Sequence, residues 1–159
     1  MSEGPLTGGC QCGAVRFRVG HLGRGSICHC RMCQKAFGGF YGPLITAHDV
    51  AWTRGAPKHF ESSNKVRRGF CGDCGTPLTY EHEGRVELAI GAFDDPERAA
   101  PTIQVNPADR LSFVDGLPAL PFRDPVTEPG PAAFNHTVVS YQHPDHDTAV
   151  WPPQGGFPQ

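Results

Sequence analysis

Three cysteines fall within six residues in the stretch "CHCRMC", at Cys28, Cys30 and Cys33. Two pairs lie elsewhere, Cys10-Gln11-Cys12 and Cys71-Gly72-Asp73-Cys74. Seven thiols is an odd number, so they cannot all pair as disulfides, and close cysteine spacing of this kind is the usual form of a zinc ligand set. The two pairs together can supply the four sulfurs of a closed tetrahedral site, with Gly8, Gly9, Gly13, Gly72 and Gly75 permitting the tight turns. Cys28, Cys30 and Cys33 then remain as a three-ligand set. Three protein ligands and a vacant fourth position are what separate a catalytic zinc from a structural one. The visitor suited to that position is water or a thiol-bearing substrate, because zinc accepts thiolate readily. Two other arrangements compete: one cluster shared by all seven sulfurs, or one four-sulfur site with three bystanders. Cys71 and Cys74 could also be a redox pair, but no strand-helix unit of the thioredoxin type surrounds them.

Zinc held by three cysteinates carries one net negative charge, and a substrate thiolate adds a second, so the site needs positive neighbours. A helix starting near Arg31 would point its positive end at the sulfurs, and Arg31 and Lys35 add full charges. Arg67 and Arg68 precede the second pair. Any of these could hold substrate carboxylates through paired hydrogen bonds. Arg31 is the site candidate, against the plainer role of a solvated surface arginine. His29 alternates with Cys28 and Cys30, so its ring is expected to point away from the metal. His29 or a water is the candidate proton carrier. The tail segment "HPDHD" holds His143 and His146, with His136 upstream. The favoured reading is a solvated proline-rich loop, although Trp151 and Phe157 argue that the arm docks somewhere.

The elements that must position these groups are mostly strands. Leu, Ile, Val and Phe make up 33 of 159 residues, close to the level of about 20% below which a packed core is doubtful, so the fold needs a staple. Twenty glycines and sixteen prolines, without long apolar helical repeats, favour short strands and turns. "AVRFRV" (14–19) alternates, with Val15, Phe17 and Val19 on one face and Arg16 and Arg18 on the other. Further strands are expected at 40–46, 50–53, 58–62, 65–70, 77–80, 85–90 and 102–105. Helical pieces are expected at 31–37 and after Asp95-Pro96. From Pro118 onward lie nine of the sixteen prolines. The compact domain is therefore placed at 5–122, and 123–159 is read as an extended arm.

The blocks "GGCQCGAVRF" (8–17), "CHCRMCQKAFGG" (28–39) and "RRGFCGDCGTPL" (67–78) resemble, in order and spacing, the signature blocks of the glutathione-dependent formaldehyde-activating enzyme family, which includes centromere protein V. The resemblance runs from about residue 6 to 120. It implies a β-tent fold, small antiparallel sheets tied by zinc. It also implies a structural zinc on Cys10, Cys12, Cys71 and Cys74, and a catalytic zinc on Cys28, Cys30 and Cys33. The activity implied is that of a carbon–sulfur lyase joining formaldehyde to glutathione as S-hydroxymethylglutathione. The late block "PTIQVNPADRLSF" (101–113) lacks the histidine and tryptophan that the family often carries, so substrate contacts there do not transfer.

The expected function is thus a zinc-dependent lyase-type enzyme with two zinc ions per chain and a small-molecule thiol, glutathione, as partner. The rival is a zinc-stapled module that binds a protein without turnover. A net charge of −2 and the lack of a basic tail argue against nucleic-acid binding. No run of about 18 apolar residues crosses a membrane. With no charged-then-apolar leader in view, a reducing cytoplasm is expected, and Asn135-His136-Thr137 is read as a chance glycosylation match. Oligomeric state is not encoded in any of these features.

Overall fold

The structure, a computed structural model, describes residues 4–153. In chain order the strands are β1 (Leu6–Gly9), β2 (Arg16–Val19), β3 (His21–Cys28), β4 (Gly42–His48), β5 (Ala51–Arg54), β6 (Lys58–Glu61), β7 (Arg67–Phe70), β8 (Pro77–His82), β9 (Arg85–Ala89) and β10 (Ile103–Val105). Helix α1 (Arg31–Phe37) follows β3, and α2 (Pro129–Thr137) lies in the C-terminal arm. All eight expected strands are present with shifted ends, and α1 has the expected bounds. Two strands were not expected. β1 is only four residues long, and β3 carries glycines at 23 and 25 that dilute its alternation.

The strands form two sheets. One has the order β1-β2-β5, the other β10-β3-β4-β9-β8-β7-β6. The architecture is mainly β as expected, with one departure from purely antiparallel pairing: β10 runs parallel to β3. That edge position places the segment after β10 beside the cysteines that follow β3. A 3-10 turn at Pro96–Ala99 follows Asp95-Pro96, with proline at its start.

The core lies between the sheets. Phe17 of β2 is fully buried and meets Trp52 and Phe93 edge-on, with ring centroids 6.0 and 5.2 Å apart. Leu78, Leu88, Ile45 and Ala47 supply the facing wall from the larger sheet. Arg16 corrects the expectation from alternation. It is 3% exposed, because that face of β2 is covered by Asp94 and by Asp147 of the arm, which bind its guanidinium at 2.5 and 2.8 Å.

The arm is not simply extended. It contains α2 and then returns, so that His143 N–H donates to the Gln11 carbonyl at 2.7 Å and the Trp151 indole N–H donates to the Cys12 carbonyl at 2.7 Å. His143 is 6% exposed, which overturns the reading of a solvated histidine. Its ring fills the space beside Gly13, where a Cβ would come within 2.2 Å of His143 Cδ2, and Gly13 itself has φ of +80°. Phe157 lies outside the described residues. Among the described residues no helix is long and apolar enough to cross a membrane.

Candidate metal centres

Cys10 and Cys12 sit in the turn joining β1 to β2, and Cys71 and Cys74 in the turn joining β7 to β8. The four sulfurs lie within 4.8 Å of one another, with Cys10 to Cys12 at 3.6 Å and Cys12 to Cys71 at 3.9 Å. A tetrahedral zinc with bonds of about 2.3 Å sets its sulfurs about 3.8 Å apart, so the spacing fits. Backbone N–H groups of Val15 and Asp73 donate to the Cys10 and Cys71 sulfurs, as is common where sulfur carries charge. Burial pushes the Cys10 and Cys12 thiols up. For Cys74 burial is outweighed by donors at Thr76, and its value falls to about 6. Four sulfurs this close cannot all ionise without a cation between them. This cluster can hold a metal ion.

The second cluster is Cys28, Cys30 and Cys33, again within 4.8 Å of one another. Cys28 ends β3, Cys30 caps α1 by accepting the Cys33 N–H, and Cys33 lies in the first turn of the helix. The helix packs on β4 so closely that a Cβ on Gly42 would come within 2.8 Å of Cys33 Cβ. Buried Gln34 anchors it further by donating to the carbonyls of His29 and Asp109. Three donors can hold a metal ion here too.

The three sulfurs line a cavity of about 760 Å³. Two further side chains reach them. Arg68 Nη2 donates to the Cys33 sulfur at 3.3 Å while its guanidinium lies 4.9 Å from the Tyr80 ring centroid. Asn106 Nδ2 donates to the Cys28 sulfur at 3.1 Å. Burial opposes ionisation of Cys28, but the Asn106 amide and the groups of Cys30 outweigh it and pull the thiol down. At Cys33 burial wins over Arg68, and the thiol is pushed up to about 12. Tyr80, which lines the same cavity, is also raised by burial and by the sulfurs, so its phenol stays protonated at neutral pH.

Arg31 does not line this cavity. Its guanidinium bonds Gln34 Oε1, its backbone N–H donates to Asp109, and its side chain borders a neighbouring groove with Met32, Lys35 and Phe60. Arg68 occupies the place by the sulfurs. His29 points away as expected: it is 1% exposed, with Nε2 2.8 Å from Gln104 Oε1 and Nδ1 without a hydrogen-bond partner among the described residues. His143 and His146 lie with the four-cysteine turn rather than the triple cluster. Asn106 was missed. The Asn-Pro dipeptide was its one signal, since it marks the turn that ends β10, where Asn106 adopts φ of +54°.

The sequence model described as "Glutathione-dependent formaldehyde-activating enzyme" matches residues 5–108. The chain belongs to this family. The match spans all seven cysteines together with Arg68 and Asn106, and it ends before the arm. No functionally curated protein matches the chain. Among solved structures, the crystal structure of a Rhodobacter sphaeroides protein is similar at 18% identity and a TM-score of 0.49, covering 62% of this chain and 99% of that one. For a member of the formaldehyde-activating family, both cysteine clusters have the donor set and spacing of a metal centre.

Proposed function

We propose that this chain is a zinc-dependent carbon–sulfur lyase-type enzyme that joins a thiol, glutathione, to formaldehyde. Cys10, Cys12, Cys71 and Cys74 would hold a structural zinc, and Cys28, Cys30 and Cys33 a catalytic one. The observation that carries this reading is that the three-sulfur set, and not the four-sulfur set, lines the large cavity. When bound at the three sulfurs, zinc would act as a Lewis acid that favours the thiolate form of an incoming thiol.

The chain's own residues then do the rest. Arg68 and Asn106 place donors on the cysteine sulfurs, offsetting negative charge where a further thiolate would add more. The protonated Tyr80 phenol faces the same space and can donate to a carbonyl oxygen. In the reaction the thiol sulfur bonds the carbonyl carbon, the C=O π pair moves to oxygen, and the thiol proton ends on that oxygen. The reverse step breaks the C–S bond. A reducing cytoplasm suits seven free thiols, and residues 5–122 would form the catalytic domain with 123–159 as its arm.

Metal analysis of the purified protein should give two zinc ions per chain. Formaldehyde and glutathione should form S-hydroxymethylglutathione faster with enzyme than without it, followed by exchange NMR. Cys33→Ser should lose one zinc and the rate enhancement while remaining folded. Two zinc ions without any rate enhancement would instead favour a protein-binding module.

A further inference from the structure

The larger sheet ends on one side at β6, whose four residues are all exposed. Two contacts fix which way its backbone groups point. Gly69 N–H donates to the Thr79 hydroxyl of β8, so Arg68 and Phe70 turn their backbone groups toward β6, where they face Phe60 and Lys58. Ser62 N–H donates to the Val66 carbonyl at 2.8 Å, which continues the same alternation. The backbone groups of Pro57, His59 and Glu61 therefore point out of the sheet.

Among the described residues no strand or hydrogen bond meets the N–H and carbonyl groups of His59 and Glu61. The edge at β1 differs: Gly8 bridges Phe93, and Asp94 N–H donates to the Thr7 carbonyl. An open sheet edge is a template for another strand, and lysine or proline usually guards it. Here Pro57 and Lys58 guard only the start of β6, and at its far end Ser63 N–H is already bonded to the Val66 carbonyl. The open window is His59 to Glu61. Beside it runs an apolar margin, because Phe60 is 47% exposed and borders a groove with Met32, itself 52% exposed. A window this short, closed at both ends, suits a strand with the same limits.

A second copy, turned about a twofold axis perpendicular to the sheet, presents that window in reverse, and only outward-pointing residues can exchange backbone hydrogen bonds. Three registers follow. Setting His59 against itself puts Glu61 opposite Pro57, which has no N–H to donate. Setting Glu61 against itself brings two carboxylates together and puts His59 opposite Ser63, whose N–H is spent. Setting His59 against Glu61 makes four backbone hydrogen bonds and places imidazole opposite carboxylate twice. The His59 ring keeps Nε2 on Glu81 at 2.8 Å, and its Nδ1 has no hydrogen bond among the described residues. In the same register Phe60 meets its own mate at a non-hydrogen-bonded position, where Cα atoms approach to about 4.5 Å. Charge, donor count and apolar contact select the same alignment.

We propose that this chain pairs with a second copy of itself through β6, with His59 opposite Glu61 and Phe60 opposite Phe60, joining the two larger sheets into one. The interface is small and the association correspondingly weak, on the order of tens of micromolar. Arg68 stands opposite Phe60 and touches the Cys33 sulfur, so each three-cysteine cavity begins one strand in from the junction. The pairing depends neither on the metal nor on the thiol reaction.

Sedimentation equilibrium of the zinc-loaded full chain, over a roughly 100-fold range of concentration around that value, should show monomer and dimer in exchange. Glu61→Pro removes an outward N–H and a charge without touching the bonds to β7. It should weaken dimerisation by at least about 10-fold while melting temperature and zinc content hold. Phe60→Asp, which sets two carboxylates at the twofold axis, should do the same and covers the case in which Glu61→Pro does not fold. His59→Lys should tighten the dimer by about 2- to 10-fold through its two opposite-charge pairs. A chain that stays monomeric throughout overturns the proposal. So does a dimer indifferent to Glu61→Pro or, where that variant is unfolded, to Phe60→Asp. A dimer that His59→Lys loosens overturns the register, since His59 would then face itself.

Discussion

Arg68 and Asn106 bear directly on the chemistry of the three-cysteine cluster, because each donates a hydrogen bond to one of its sulfurs. Where a metal holds these sulfurs as thiolates, a donor to them contributes more than a neutral pair, and Arg68 makes its contact from a side chain that is itself buried. Arg68→Met should therefore lower kcat/KM for glutathione by roughly 10- to 100-fold, with Asn106→Ala lowering it by a smaller factor. Zinc content measured on the same samples should remain at two per chain. The gathering of the seven cysteines into two clusters was legible in the sequence, because spacing within a turn is local. The supporting shell was not. Asn106 meets Cys28 across 78 positions, and Arg68 rather than Arg31 reaches the sulfurs, since α1 turns the Arg31 side chain toward Gln34. Nearness along the chain did not translate into nearness in space.

At the scale of elements, the C-terminal segment straps the β1–β2 turn. His143, Asp147, Thr148 and Trp151 reach Gln11, Arg16, Arg54 and Cys12 respectively. A turn held in this way should release its metal slowly. Trp151→Ala removes a hydrogen bond and a half-buried ring, and should raise the rate of zinc transfer from the four-cysteine cluster to a chromophoric chelator by about 5- to 10-fold. The strap should also respond to pH. Burial lowers the His143 pKa ahead of all other causes; the Pro144 carbonyl opposes this, while the Arg16 and Arg54 charges reinforce it. A histidine held below its free value of 6.5 stabilises docking fully above that pH and loses the contribution as pH falls through the lowered value. Trp151 fluorescence should accordingly report loosening below pH 6.5, and His143→Gln should flatten that response. Sequence patterning found the strands with clear alternation. It missed β3, where glycines stand at 23 and 25, and it read the arm's prolines as extension although they also start α2. β3 is fixed by its pairing with β4 and β10 rather than by local preference, whereas α2 buries no residue and starts where the prolines permit.

For the whole molecule, the four-cysteine cluster joins the two sheets, since one pair leaves the small sheet and the other the large one. A core this modest in apolar content gains much from such a clamp, because metal bound only in the folded state adds its binding energy to folding. Cys71→Ser should lower the melting temperature by more than about 10 °C, whereas Cys33→Ser should lower it by only a few degrees. Equal losses would mean that both clusters serve as staples. That contrast leads to the central claim, that one cluster keeps a coordination position for a guest thiol while the other is closed. Cadmium-113 NMR of the metal-substituted protein tests it most directly. The account predicts two resonances, of which one shifts on adding glutathione and the other does not. Two resonances that both ignore glutathione, or a single resonance, would contradict it.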